Sequence, residues 1–331
     1  MGEVPHVITA APFTAVNMEP VFFRAQELRK LRTEDEGRLN NKREMAQAYV
    51  GRQAVNLFYQ ESTRTRISFE LAEAAWGMGK STTTEARKFS SASKGETLAH
   101  TVNVVEQYDP DVMVLRYDFV GGAAEAASLV KVPILNAGDG PGEHPTQAFG
   151  DSLTILEQLG RLDNLRITFM GDLRFGRTIR SLVYILSKCQ NNHFDFVSTP
   201  DLSLSEDIKE LLDSLPGITY KEHDHVSALT EVLPETDVFY VTRTQTNQGA
   251  PVLLNNQFRV TRATADLLPQ HAILLHPMPI DRSDPSRSEI APEVDEHPRA
   301  RFYRQAGNCF YARMAILERI MEGKPVLEQA A

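Results

Sequence analysis

Short apolar runs alternate with longer amphipathic stretches along almost the whole chain, and this alternation limits the fold more than any other feature. The runs are AVNLFY from Ala54, VMVL from Val112, VPIL from Val132, RITFM from Arg166, FDFV from Phe194, DVFYV from Asp237 and AILL from Ala272. Runs this short, rich in β-branched and aromatic residues, read as strands. Helical patterns lie between them. Glu96 to Gln107 puts Leu98, Val102 and Val105 on one face, and Pro145 to Leu159 does the same with Phe149, Leu153 and Leu156. Strands that alternate with helices make parallel sheets covered on both sides. A chain of 331 residues is too long for one small core, so the seven strands divide into two sheets. The predicted fold is α/β: two Rossmann-like parallel-sheet domains linked by helices. The helix after Pro145 is the expected bridge. A last helix, roughly Tyr311 to Met321, has no strand after it and is expected to pack on the first domain. The expected division is residues 1–145 with 303–331, and 146–302.

Composition excludes several classes. The chain is 42% hydrophobic and 24% charged, ordinary for a globular protein and far from disorder. No apolar run is long enough to cross a bilayer. The opening MGEVPHVITAAPFTAV lacks a basic start followed by a long apolar stretch, and His6 stands where myristoylation needs Ser or Thr. A net charge of −9 argues against a general nucleic-acid binder, although a local arginine cluster can still hold an anion. Cys189 and Cys309 have no metal-ligand spacing and read as small core residues in a reducing compartment, so a cytoplasmic location is expected.

The chemistry starts at FYQESTRTRISFE, Phe58 to Glu70. In a parallel sheet, ligands sit at the carboxyl ends of strands. Here a strand ends and a helix begins, with Ser62 as its expected N-cap. Unpaired N–H groups of a first helical turn favour an anion. Ser62, Thr63 and Thr65 can add hydroxyl donors, and Arg64 can add a charge-assisted contact. A merely capped helix would explain Ser62 but not two Thr and two Arg in one turn, since Thr is a mediocre helix former. Arg66 points away from Arg64 and has an alternative use as an ion-pair partner. Arg116 lies just past another strand. In NAGDGPGEHPTQAFGD, three glycines allow a tight loop, Pro145 suits a first helical turn, and His144 with Gln147 faces a corner where a carbonyl could be polarised.

The motifs STRTR, SKGET, HPTQ, GDLRFGRT, TRTQ and HPMP follow one another in this order. In this the chain resembles the aspartate carbamoyltransferases, from about Val55 through FYRQAGNCFYARMAIL. The resemblance implies transfer of the carbamoyl group of carbamoyl phosphate to the amine of L-aspartate, giving N-carbamoyl-L-aspartate and phosphate, a step of pyrimidine biosynthesis. It implies a carbamoyl-phosphate-binding first domain and an aspartate-binding second one. Ser62, Thr63, Arg64 and Thr65 would hold the phosphate, and Arg116 would bridge phosphate and carbamoyl oxygen. Thr65, Arg116 and His144 would polarise that oxygen. Gln147 and the carbonyls of Pro277 and Met278 would accept from the carbamoyl NH₂, with the Met278–Pro279 bond cis. Arg177 would take the α-carboxylate of aspartate, and Arg243 with Gln245 its side-chain carboxylate. Ser90 and Lys94, in a Ser-rich stretch read as a mobile loop, would reach a neighbouring subunit's site. The unit would be a homotrimer with shared sites, with room for regulatory or dihydroorotase chains, and without metal or organic cofactor.

Three departures stand out. Gln60 and Gln248 replace the acid and the arginine that pair in the best-known members, which suggests a paired loss. IDRSDPSRSE, Ile280 to Glu289, is longer than the usual turn. Competing readings are an acceptor other than aspartate, such as ornithine or a modified amino acid, and a catalytically silent subunit. The ornithine branch shows HCLP and DxxxSMG where this chain has HPMP and TRTQ. A silent subunit should have lost phosphate ligands, and none is missing. FMGDLRFGR fails as a dinucleotide loop because bulky residues separate Gly171 from Gly176.

Overall fold

The computed structural model describes residues 4–243, 258–282 and 288–327. The chain forms two compact units, Met1–Gly150 with Asn308–Ala331, and Asp151–Gly307. Both divisions fall inside helices, Pro145–Leu159 and Phe302–Met321, rather than at their first residues.

The sheet of the first unit holds β1 (Gln53–Phe58), β2 (Gly79–Thr83), β3 (Val112–Tyr117) and β4 (Ile134–Asp139) in the order β2-β1-β3-β4, all parallel. The second unit holds β5 (Arg166–Met170), β6 (His193–Val197), β7 (Thr219–His223), β8 (Val238–Val241) and β9 (Ile273–Leu275) in the order β7-β6-β5-β8-β9, also parallel. The seven apolar runs all become strands. The two strands absent from the sequence reading, β2 (GKSTT) and β7 (TYKEH), each lie at one edge of their sheet and carry mostly exposed or half-buried residues. An edge strand has one neighbour and needs no continuous apolar run, and polar or Lys-bearing sequences discourage further pairing.

Each unit has its own core. Leu57, Leu98, Val102, Met113, Leu115 and Ile134 pack together in the first. Val241, Leu233, Phe239, Leu268, Leu274 and Phe302 do so in the second. Each such side chain contributes about 1.5–3 kcal/mol through burial. From Asn308 onward the last helix belongs to the first unit, where Met314 O accepts from Trp76 Nε1 at 2.9 Å and Glu318 makes a two-pronged pair with Arg24 at 2.6 and 2.7 Å. This helix begins at Phe302, well before the expected Tyr311.

Strand order fixes where ligands can bind. In the first unit the chain leaves β1 outward for β2 and returns to β3 on the other side. In the second it leaves β5 for β6 and β7 and returns to β8. The connections therefore diverge between β1 and β3 and between β5 and β8, opening a crevice at the carboxyl ends of each pair.

Candidate active site

The first crevice receives the hydroxyl-rich turn and Arg116 together. The turn follows β1, and the helix begins at Arg64 with Thr63, not Ser62, in the N-cap position and no side-chain cap. Thr63 has αR torsions, whereas a side-chain cap normally sits on extended backbone. The consequence favours anion binding. No hydroxyl of the turn is spent on capping, and the first-turn N–H groups keep their positive end towards the crevice. Arg66 pairs with Glu70 at 3.1 Å one turn along its own helix, the ion-pair use foreseen from spacing.

Arg116 ends β3 in register with Phe58. Its Nη1 donates to Ala137 O of β4 at 3.1 Å, which fixes the side chain across the strand ends. Beyond β4 the chain turns at Gly140, φ 51°, where a Cβ would stand 2.6 Å from Asp118 O; only glycine fits both the torsion and the space. Asp139 organises the loop by accepting from Glu143 N at 2.7 Å and Gly121 N at 3.0 Å. Glu143 in turn accepts from Ala10 N at 2.7 Å. The loop delivers His144 to the start of the helix Pro145–Leu159, where its carbonyl accepts from Gln147 and Ala148 N–H. His144 is buried and its Nε2 lies 3.4 Å from Thr65 Oγ1. That contact is long for a hydrogen bond, but it places the hydroxyl and the imidazole on one spot. Gln147 is buried one turn into the same helix. Ser62, Thr63, Arg64 and Thr65 thus follow β1, Arg116 stands at the end of β3, and His144 with Gln147 follows β4, with Thr65 and His144 brought into contact.

Ser90 and Lys94 lie elsewhere in this unit, and the stretch is not an irregular loop. Ala86–Phe89 is a helical turn and Ser91–Lys94 a 3₁₀ turn, capped by Ser90 Oγ accepting from Ala92 N at 3.2 Å. A serine-rich segment reads as flexible until such local caps are counted. Lys94 is exposed and forms no ion pair among the described residues.

In the second crevice Arg177 opens the helix Arg177–Leu186 after β5, and Arg243 follows β8. Met170 and Val241, the last residues of these strands, are register partners, so both arginines rise from the same edge. The two loops are in close contact: a Cβ on Gly171, φ 121°, would meet Thr242 O at 2.1 Å. A cation at a helix start opposes the helix dipole and is best compensated by a bound anion. Gln245 and Gln248 lie outside the described residues.

Pro277 and Met278 follow β9, and the Met278–Pro279 peptide is cis. Met278 has φ 58°, a left-handed conformation uncommon for a side chain of this size. Arg282 ties the next segment down through Asp295 at 2.5 Å, Ser288 and the Ile290 carbonyl. Sequence reasoning gave no role to the buried polar residues around this turn, His276, Gln305 and Asp151. Part of their signal was present: a histidine opening HPMP.

Comparison with known proteins agrees with this layout. Residues 5–157 match the carbamoyl-P binding domain of the aspartate/ornithine carbamoyltransferase family, and residues 163–320 match its Asp/Orn binding domain. The chain is 40% identical to the chloroplastic aspartate carbamoyltransferase of Oryza sativa subsp. japonica, covering 96% of this chain and 85% of that protein. It is 37% identical to the aspartate carbamoyltransferase catalytic subunit of Methanopyrus kandleri, covering 96% and 97%. Aspartate transcarbamoylase of Trypanosoma cruzi in complex with carbamoyl phosphate and aspartate superposes with a TM-score of 0.83 at 30% identity, covering 95% of each chain. The two matched domains together span nearly the whole sequence, and the chain belongs to the aspartate/ornithine carbamoyltransferase family.

Proposed function

We propose that this chain transfers the carbamoyl group of carbamoyl phosphate to the amine of L-aspartate. The observation that carries the proposal is the pair of crevices: one rich in N–H, hydroxyl and guanidinium donors, the other with two arginines in the segments that follow adjacent strands. The first suits a doubly negative phosphate. The second suits an acceptor with two carboxylates and would repel the cationic side chain of ornithine.

The residue roles proposed are those that the family resemblance implies, and charge is consistent with them. Ser62, Thr63, Arg64 and Thr65 hold the phosphate. Arg116, already braced on Ala137 O, reaches phosphate and carbamoyl oxygen together. The aspartate amine attacks the carbamoyl carbon, and the C=O electrons move onto oxygen. Thr65, Arg116 and His144 stabilise that oxyanion, each aimed donor contributing about 3–4 kcal/mol. Gln147 and the Pro277 and Met278 carbonyls orient the NH₂. The C–O bond to phosphate then breaks, and the leaving phosphate takes the proton that the amine must lose. Arg177 and Arg243 with Gln245 seat the two carboxylates, and positioning of the reactants supplies about 7–11 kcal/mol.

The assembly proposed is a homotrimer in which Ser90 and Lys94 act in the neighbouring copy's site. The exposure of Lys94, which has no ion pair among the described residues, supports this. Regulatory or dihydroorotase chains are a further proposed class of partner, and the mass of the native assembly tests it. A cytoplasmic location is proposed on the two buried thiols and is tested by cell fractionation.

The deciding experiment incubates purified protein with carbamoyl phosphate and either aspartate or ornithine and follows phosphate release. Release with aspartate alone is expected. Release only with ornithine, or with neither, refutes the assignment.

A further inference from the structure

A chain of buried polar side chains runs up to the Pro277–Met278 turn within the second unit. Tyr240 OH donates to Asp151 Oδ2 at 2.8 Å, and Gln305 Nε2 donates to Asp151 Oδ1 at 2.7 Å. Gln305 Oε1 accepts from His276 N at 2.9 Å, and His276 Nδ1 accepts from Met278 N at 2.8 Å. Asp151, Gln305 and His276 are essentially without solvent exposure, at 0%, 1% and 1%. Buried polar groups of this kind are costly unless each is partnered, and once partnered they specify one arrangement.

The hydrogen bond from Met278 fixes the imidazole tautomer. Nδ1 is the acceptor, so Nε2 carries the proton. Nε2 lies 2.8 Å from Glu289 Oε1 without hydrogen-bond geometry, so Glu289 supplies a nearby carboxylate to the ring. The backbone so restrained is the one with φ 58° at Met278. A left-handed non-glycine residue persists only where its surroundings over-determine it.

We infer that His276 is a positioning residue, which with Gln305, Asp151 and Glu289 fixes the Met278 N–H and thereby aims the Pro277 and Met278 carbonyls at the carbamoyl NH₂. This rests on the role proposed above for those carbonyls. The network itself touches no substrate atom. Its effect falls on recognition of the NH₂ group and leaves the phosphate cradle of the first unit untouched.

The test separates those two halves of the donor. Acetyl phosphate carries the same phosphate but a methyl in place of NH₂, so it gains nothing from the carbonyls. His276→Gln removes the Nδ1 acceptor, whereas His276→Asn keeps an oxygen near that place. His276→Gln is expected to raise the KM for carbamoyl phosphate about tenfold or more, with the inhibition constant of acetyl phosphate within about twofold of wild type. His276→Asn is expected to recover most of the loss. Gln305→Met serves as an independent variant if His276→Gln does not fold, and the same split is expected. An unchanged carbamoyl phosphate KM, or parallel weakening of both ligands, overturns the inference. If the wild type binds acetyl phosphate as tightly as carbamoyl phosphate, the role of the carbonyls falls first, and the inference falls with it.

Discussion

Glu73 gives the clearest quantitative test of the first unit. It lies on the helix that presents the phosphate turn, is fully buried, and accepts from Asn56 Nδ2 at 2.9 Å. Glu73 Oε1 and Asn56 Oδ1 have no hydrogen-bond partner among the described residues. Burial pushes the carboxyl up from 4.5 to about 7, while the Asn56 hydrogen bond and Lys80 pull it down and Glu70 adds to the rise. The unfolded chain loses this proton near 4.5, and the folded chain keeps it to about 7. Between those values the folded state binds more protons, so stability falls as pH rises. The contribution is complete below the unfolded pKa and is lost as pH passes the folded one. At about 1.36 kcal/mol per pKa unit this amounts to about 3 kcal/mol. Glu73→Gln cannot ionise, and its amide can donate to Asn56 Oδ1 while still accepting from Nδ2. Near pH 5 the variant should match wild type to within about 1 kcal/mol; near pH 8 it should be more stable by about 3 kcal/mol. Urea unfolding followed by fluorescence of Trp76, the single tryptophan and itself buried at the end of the same helix, reads this directly. Parallel pH profiles for the two proteins would refute the reasoning.

Other expectations concern the site. Arg64→Ala should abolish phosphate release with every acceptor, while Arg243→Ala should mainly raise the KM for aspartate; steady-state kinetics separates the two. Thr65→Val should lower kcat by about 10²–10³ with a smaller change in KM, and an unchanged kcat removes Thr65 from oxyanion stabilisation. Gly171→Ala should destabilise the second unit by about 2–4 kcal/mol, because the new methyl meets Thr242 O at 2.1 Å on a backbone with φ 121°; a thermal melt at wild-type temperature contradicts this. Mixing inactive Lys94→Ala and Arg64→Ala chains under dissociating conditions and then reassembling them should restore part of the activity if sites are shared, and none if each chain works alone.

The strands that are buried along most of their length, including the edge strands β4 and β9, were legible because they must be apolar. β2 and β7 were not, since one neighbour and a wet side let GKSTT and TYKEH stay polar. The last helix was read too short for a related reason. Its first turns carry Arg304 and Gln305, which face Glu157 at 3.0 Å and Asp151 at 2.7 Å rather than an apolar core. Periodicity sees such positions as solvent-facing. The phosphate turn was legible as chemistry but not in detail: the choice of Thr63 over Ser62 at the helix start is a matter of backbone torsion. His144 and Thr65 stand 79 residues apart in sequence, and spacing alone carries no sign of their meeting. The His276 network stayed hidden because its members are scattered over β8, two helices and two loop segments, and only folding reveals which polar side chains share a bond.

The account depends most on where the two anionic ends of a bisubstrate compound bind. A crystal structure of this chain with N-(phosphonacetyl)-L-aspartate measures that directly. The phosphonate should lie on the first turn of the helix from Arg64, within hydrogen-bond reach of Ser62, Thr63 and Thr65, with the two carboxylates on Arg177 and Arg243. A phosphonate bound away from that turn, or carboxylates that leave both arginines untouched, would contradict the account.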